Sequence, residues 1–331
     1  MVRAEGSGTP EMSRRASFAV SAPAKVNLVL RVGPKGADGY HAIFSIVQQV
    51  SLCDRLHVGA RRRGLMLTVR GREVPSGREN LVIRAADRLQ RAAGVSAGAD
   101  IWLDKRIPMG AGLGGGSSDA AAVVLALNRL WRLGWSRQRL AGTVVSLGSD
   151  IALFFASPLS VVEGTGAEVR SLRHPAVKSS SLPRWMVIVY PNLISSTAEA
   201  YQALDRQRRL GRDGFRVPRF PLTPREREII ISRFLHRTGT SGRSLLLGND
   251  FEPVIYKAFP TVRSAAQRLT HAGASDVMLS GSGSAVFGLF SSAQRARSAA
   301  AAVRGDHAAW ESWVVRPLRR APLVRAVRTR L

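Results

Sequence analysis

The sequence predicts an α+β protein of two domains. Strand-like and helix-like runs are mixed along its 331 residues rather than set in a strict βαβ series. That length suits about two domains, and the His-Pro, Ser-Ser-Ser and Leu-Pro run within residues 174–184 has the composition of a linker. Residues 1–16 carry Gly, Ser and Pro without an apolar period and predict a disordered leader. Residues 17–173 form the expected N-terminal domain. Its first strand begins at Phe18, where Val26, Leu28 and Leu30 alternate with Lys25, Asn27 and Val29, so Lys25 and Asn27 share one face. Short β-rich runs follow near 43–50, 56–59 and 65–69. Leu81, Ala85 and Leu89 then recur at helical spacing behind Asn80, a residue type that caps helices. Residues 101–103 read as strand, 107–116 as a glycine-rich loop, 117–131 as an alanine-rich helix, and 136–147 as a helix stopped by Gly148. In the expected C-terminal domain, 185–315, strands are predicted at 185–190, 276–279, 285–290 and 310–315, with helices at 196–209, 223–237, 249–272 and 292–303. The acid-free basic segment 316–331 reads as a solvated tail.

Composition narrows the function. Hydrophobic residues at 45% and charged residues at 22% are ordinary globular usage, which argues against wholesale disorder, collagen or coiled coil. Cys53 is the one cysteine, so no intrachain disulfide forms. With no Cys/His cluster at zinc spacing, a reducing compartment, the cytoplasm, is expected. No apolar run reaches the ~18 residues that cross a bilayer, and no membrane partner is expected. A net charge of +26 first suggests nucleic acid. That charge is spread along the chain, however, and rests on 44 arginines against five lysines, a skew that GC-rich coding produces without a binding role. Specific nucleic-acid binding is therefore not expected, whereas an anionic small molecule suits the charge. Monomer and homodimer both stay open.

The sharpest chemical signal is Pro108-Met109-Gly110-Ala111-Gly112-Leu113-Gly114-Gly115-Gly116-Ser117-Ser118-Asp119, entered from a strand and opening into a helix. Glycine lets backbone amides approach an anion, and a helix N-terminus favours phosphate. Gly-Lys-Ser/Thr is missing, so this is not a Walker A loop. No Asp or Glu lies between Ala120 and Ser149 to hold a dinucleotide ribose.

This loop resembles the phosphate loop of the GHMP kinase superfamily. Together with Ala22-Pro23-Ala24-Lys25-Val26-Asn27-Leu28, Asp38-Gly39-Tyr40-His41, Leu147-Gly148-Ser149-Asp150 and Ser280-Gly281-Ser282-Gly283-Ser284, it is similar to the 4-diphosphocytidyl-2-C-methyl-D-erythritol kinases. The matches run in order from about residue 20 to 290. The resemblance implies the two-domain GHMP kinase fold, with an N-terminal domain like the second domain of ribosomal protein S5, a ferredoxin-like C-terminal domain and the active site between them. It implies ATP-dependent phosphorylation of the 2-hydroxyl of a cytidine diphosphate methylerythritol substrate, in the non-mevalonate route to isoprenoid precursors. An alcohol kinase needs a carboxylate near the hydroxyl proton and a cation for the developing charge, and the resemblance assigns these roles to Asp150 and Lys25.

By the same resemblance, ATP is bound by Asn80, Lys105, Pro108, Met109, Gly110, Ala111, Gly112, Leu113, Gly114, Gly115, Gly116, Ser117 and Ser118. Asn27, Tyr40, His41, Thr197, Tyr201, Ser282 and Gly283 face the other substrate, with Tyr40 and Tyr201 sandwiching cytosine. Mg2+ is expected to be held mainly by ATP phosphates, with no protein ligand assigned. Structural readings compete at several positions: a helix cap for Asn80 or Asp150, a surface charge for Lys25 or Lys105, helix core for Tyr201, a plain hairpin for 280–284. The chain departs from the family at Ala152, where proline is usual, and at Ser157-Pro158, where a glycine pair is expected. A kinase for homoserine or a mevalonate-like acid, and a basic nucleic-acid-binding protein on a kinase fold, remain as alternatives.

Overall fold

The computed structural model describes residues 17–172, 184–210, 222–235 and 248–327. The expected leader, all of the expected linker except Arg184, and residues 328–331 of the expected tail lie outside that set. The larger sheet is built on β1 (Ser17–Lys35) and β2 (His41–Arg61), paired antiparallel over nearly their whole length. β2 is one strand where the sequence suggested two short runs, because Leu56 and Val58 keep register against Val20 and Phe18. β3 (Leu65–Gly71) and β4 (Gly98–Lys105) extend it in the order β1-β2-β4-β3. A hairpin of β5 (Leu159–Gly164) and β6 (Glu168–Ser171), unanticipated from sequence, pairs with the first half of β2.

Helices cover one face of this sheet. α1 (Leu81–Ala93) starts where the Asn80 side chain accepts the Val82 N–H at 2.9 Å and ends at Gly94 with φ +62°. α2 (Gly115–Leu130) is apolar on nearly every side and is buried between the sheet and its helical neighbours. α3 (Arg137–Val144), capped by Ser136, tightens into a 3-10 turn at Val145–Leu147, and a second 3-10 helix, Ser149–Phe155, follows Gly148.

β7 (Trp185–Tyr190) leads into α4 (Thr197–Leu210) and α5 (Pro224–Leu235), and β8 (Gly248–Asn249) runs parallel to β1. The single helix expected at 249–272 is two, α6 (Glu252–Ala258) and α7 (Pro260–His271). Pro260 lacks an N–H and its ring drives Phe259 out of the helical region, to φ −129° and ψ 84°. β9 (Val277–Leu279), β10 (Val286–Phe290), α8 (Ala293–Asp306) and β11 (Glu311–Val315) complete a four-stranded antiparallel sheet of order β11-β7-β10-β9. Val26, Leu28 and Phe44 of the first sheet are buried in one apolar layer with Met186, Ile188 and Phe287 of the second. That shared layer fixes how the two sheets meet.

The basic segment expected as a free tail is bound along the N-terminal sheet. Arg319, Arg320 and Arg325 are exposed, but the Ser51 N–H donates to Arg316 O at 2.9 Å and the Leu318 N–H to Gln49 O at 2.9 Å. β12 (Arg325–Val327) then pairs with Ser17–Ala19. Ladder bonds use the backbone, so arginine side chains can stay in water while an open sheet edge is covered. Among the described residues no helix is long and apolar enough to cross a membrane.

Candidate active site

Four segments meet where the two sheets join: β1 at Lys25, the glycine loop, the 3-10 helix at Asp150, and the turn between β9 and β10. The β1–β2 register shifts between Pro23 and Lys25 and again between Asn27 and Val29. Such irregularities re-aim side chains, and here they isolate Lys25-Val26-Asn27. The Lys25 N–H donates to Leu113 O at 2.9 Å, which draws the glycine loop alongside. Lys25 is 5% exposed. Its Nζ donates to Asn27 Oδ1 at 2.7 Å and lies 3.7 Å from Asp150 Oδ2. Asn27 Nδ2 donates to Ser45 Oγ at 2.9 Å, and that hydroxyl donates to Val29 O at 2.5 Å. The relay fixes the Asn27 amide with its oxygen toward the lysine. Asp150 stays 43% exposed, so the pair is a buried cation beside an accessible carboxylate. The 3-10 helix behind Asp150 closes with the Ala156 N–H on Leu153 O at 3.2 Å, despite Ala152.

In the glycine loop, Gly110, Gly112 and Gly114 take φ of +62°, +74° and +68°, a region that suits glycine. At Gly112 a side chain has no room either, because a Cβ would lie 2.0 Å from Ser280 O. The turn at 280–284 anchors the loop: Ser280 Oγ donates to Gly112 O at 3.0 Å, and the Ala285 N–H donates to Ala111 O at 3.1 Å. The Ser195 N–H adds a bond to Gly110 O at 3.3 Å. Loop carbonyls are thus drawn backward, and the first-turn amides of α2, which have no helical acceptor, open at its N-terminus. Thr197 Oγ1 and Ser282 Oγ are 2.8 Å apart, and Ser195 Oγ donates to Ser282 O at 2.9 Å. A Cβ on Gly281 would sit 3.2 Å from Lys25 Nζ. Lys25, Asn27, Asp150, the loop, Thr197, Ser282 and Gly283 therefore form one locus, and the turn is both a hairpin and a wall of the site.

Lys105 departs from expectation. Expected near adenosine or on the surface, it is 3% exposed and donates to Asp54 and to Asp119, the latter at 2.8 Å. Asp54, fully buried, also accepts the N–H groups of Arg106 at 2.5 Å and Ile107 at 2.8 Å. Two buried carboxylates require a cation, and Lys105 supplies it beneath the first turn of α2, where a Cβ on Gly115 would lie 2.8 Å from its Nζ. Sequence reasoning missed Asp54 and Asp119. The available signal was an aspartate set in the apolar run of α2. Asn80 caps α1 next to the loop, with Leu81 Cδ1 3.5 Å from where a Gly116 Cβ would be.

Burial pushes the Asp119 carboxyl up to about 8, with Lys105 opposing and Asp54 adding to the shift. Lys105, whose own pKa is raised by the two aspartates despite burial, stays charged, so at neutral pH Asp119 holds a proton and the cluster is close to neutral. From about pH 4 to 8 the folded chain then keeps a proton that the unfolded chain releases, and this group's contribution to stability falls as pH rises. Asp119→Asn, which keeps an acceptor for Lys105 without the charge, is expected to gain on the wild type across that window, by at most about 1.4 kcal/mol per pH unit. Melting temperatures from pH 5 to 8 check it, and parallel curves would refute the assignment.

At the far end, Tyr40 is 67% exposed on a turn closed by the Gly36 N–H on Tyr40 O at 2.7 Å. His41 stacks on Tyr201, with ring centroids 4.7 Å apart and planes 24° apart, and Tyr201 meets Phe251 edge-on at 4.9 Å. The His41 ring covers one face of Tyr201. The Tyr201 hydroxyl is pushed up to about 12 by burial and by the Asp150 carboxylate. That places the stack within electrostatic reach of the Lys25–Asp150 pair.

Residues 80–157 match the family model for the GHMP kinases N terminal domain, and residues 233–308 match that for the GHMP kinases C terminal. The chain is 38% identical over 289 residues, 87% of its length and 94% of the relative's, to 4-diphosphocytidyl-2-C-methyl-D-erythritol kinase of Geobacter metallireducens. It is 36% identical to the same-named kinase of Pseudomonas aeruginosa, covering 82% of this chain and 85% of that one. A crystal structure of 4-(cytidine 5'-diphospho)-2C-methyl-D-erythritol kinase superposes with TM-score 0.71 at 34% identity, over 90% of this chain and 98% of that one. Homoserine kinase from Cytophaga hutchinsonii shares the fold, with TM-score 0.63 at 18% identity over 97% of this chain and 100% of the other.

Proposed function

Since the chain belongs to the 4-diphosphocytidyl-2-C-methyl-D-erythritol kinase family, and is thereby an ATP-dependent kinase, we propose that it phosphorylates the 2-hydroxyl of 4-diphosphocytidyl-2-C-methyl-D-erythritol in the non-mevalonate route to isoprenoid precursors. The observation that carries this reading is the Lys25–Asp150 pair, 3.7 Å apart, set against the glycine loop. Amides of Gly114 to Ser117 receive the ATP phosphates at the N-terminus of α2. The Asp150 carboxylate accepts the 2-hydroxyl proton as that oxygen bonds to the γ-phosphorus and the bond to the bridging oxygen breaks, releasing ADP. The Lys25 ammonium, held by Asn27, steadies the negative charge that builds on the attacking oxygen. Asn27, Thr197, Ser282 and Gly283 border the acceptor, and Tyr40, His41 and Tyr201 form its cytidylyl end.

Mg2+ fits this site as a partner of the nucleotide. Ser118 Oγ is buried at the loop without a hydrogen-bond partner and is placed to add one protein oxygen, while among the described residues no group of three or more His, Cys, Asp or Glu is gathered to hold a metal. When bound, it would neutralise charge on the transferring phosphoryl group. ADP release should be measured with ATP, Mg2+ and three acceptors in parallel: the cytidylyl alcohol, homoserine and mevalonate. Turnover with the cytidylyl acceptor at a kcat/KM at least 100-fold above the others is expected. Equal turnover of homoserine or mevalonate, or none with any acceptor, would overturn the substrate.

A further inference from the structure

We propose that Asp205 is a positioning residue for the cytidylyl end of the site, acting through His41, whose ring it holds flat against Tyr201. His41 Nδ1 lies 3.0 Å from Gly33 O. A carbonyl only accepts, so Nδ1 carries hydrogen. His41 Nε2 lies 3.3 Å from Asp205 Oδ2, so the carboxylate flanks the ring nitrogen that Gly33 leaves open. The His41 side chain is 7% exposed, so its polar ring nitrogens need partners close by, and the carboxylate is beside one of them. Tyr201, Asp205 and Arg208 fall at i, i+4 and i+7 on α4, so one helical face supplies both the ring that His41 stacks on and the charge that fixes it.

Two cationic residues lie on the neighbouring elements, and Arg208 also feels the Asp205 carboxylate. Arg208 donates to Gly33 O at 2.9 Å and Val32 O at 2.6 Å and pairs with Asp250 at 3.7 Å. On β1, Lys35 is the residue opposite His41 in register. Asp205 is thus the carboxylate in ion-pair contact with the ring, and Gly33 O is shared between the ring and Arg208. The His41 ring is stacked on Tyr201, so fixing His41 fixes one face of that tyrosine at the cytidylyl end. This role rests on the cytidylyl substrate proposed above.

The test uses CDP as probe, with the full chain and the variants Asp205→Asn and Asp205→Glu. CDP affinity is measured calorimetrically, alongside steady-state kinetics and melting temperatures. Asp205→Asn is expected to weaken CDP and raise the acceptor KM about tenfold. The expected kcat and ATP KM change less than threefold, and Asp205→Glu restores most of the affinity. CDP affinity that ignores Asp205 overturns the positioning role alone. Failure of the wild type to bind CDP overturns the substrate reading and this role with it.

Discussion

Asp150→Asn is expected to lower kcat by about 10²- to 10⁴-fold, the usual worth of a general base, or roughly 3 to 5 kcal/mol of barrier. Melting temperature and CDP affinity should be nearly unchanged. The geometry separates these effects. Asp150 is 43% exposed and meets Lys25 at 3.7 Å, too open and too long a contact to hold the fold, whereas Lys25 is buried and already bonded to Asn27. An amide keeps the shape of the carboxylate and cannot accept the proton. Much of phosphoryl transfer rests on positioning and electrostatics, so activity should persist above the uncatalysed level. Lys25→Met should also lower kcat, and the double variant should be little worse than the poorer single one, because the two groups act on one oxygen. A kcat within threefold of wild type in a folded Asp150→Asn protein would remove Asp150 from the reaction.

What the sequence disclosed about this site depended on the distance over which each interaction is set. Lys25 and Asn27 could be placed on one face because strand alternation is local, and the contact is there at 2.7 Å. The glycine loop was legible because backbone freedom leaves a compositional mark, and Gly112 shows both positive φ and a contact that excludes a Cβ. The break at Pro260 was equally legible and was overlooked in favour of helical spacing on either side. Other features are long-range and leave no local trace. β12 pairs with residues more than 300 positions away, so its arginines pointed only to water. Asp54 and Asp119 lie 51 and 14 positions from Lys105, and no spacing rule links them. The His41–Tyr201 stack joins two residues that sequence had assigned to one ligand without indicating that they touch.

Lys105→Met is expected to lower folding stability by about 3–5 kcal/mol, the effect of removing one partner from a buried ion pair. A domain commonly holds about 5–15 kcal/mol in all, so the variant should sit near the edge of folding at 37 °C. The methylene stem is replaced at similar volume, so the loss comes from charge. Asp54 and Asp119 are left 0% and 2% exposed without their cation, and Asp54 still accepts the Arg106 and Ile107 amides. Removal of the ammonium takes away what holds the Asp119 pKa down, but that carboxyl is already raised to about 8 with the lysine present, so the loss should be about the same at pH 5.5 and at pH 8. Denaturant unfolding followed by tryptophan fluorescence at pH 5.5 and 8 tests this, and a loss below about 1 kcal/mol at pH 8 would show that the cluster is not the keystone its burial implies. Adding Asp119→Asn to Lys105→Met should return part of the stability. ATP separates the two roles considered for this lysine. A group that touched adenosine would change ATP affinity and leave unfolding alone, whereas Lys105 lies under Gly115. Its loss should weaken ATP binding only together with stability, through the loop it supports.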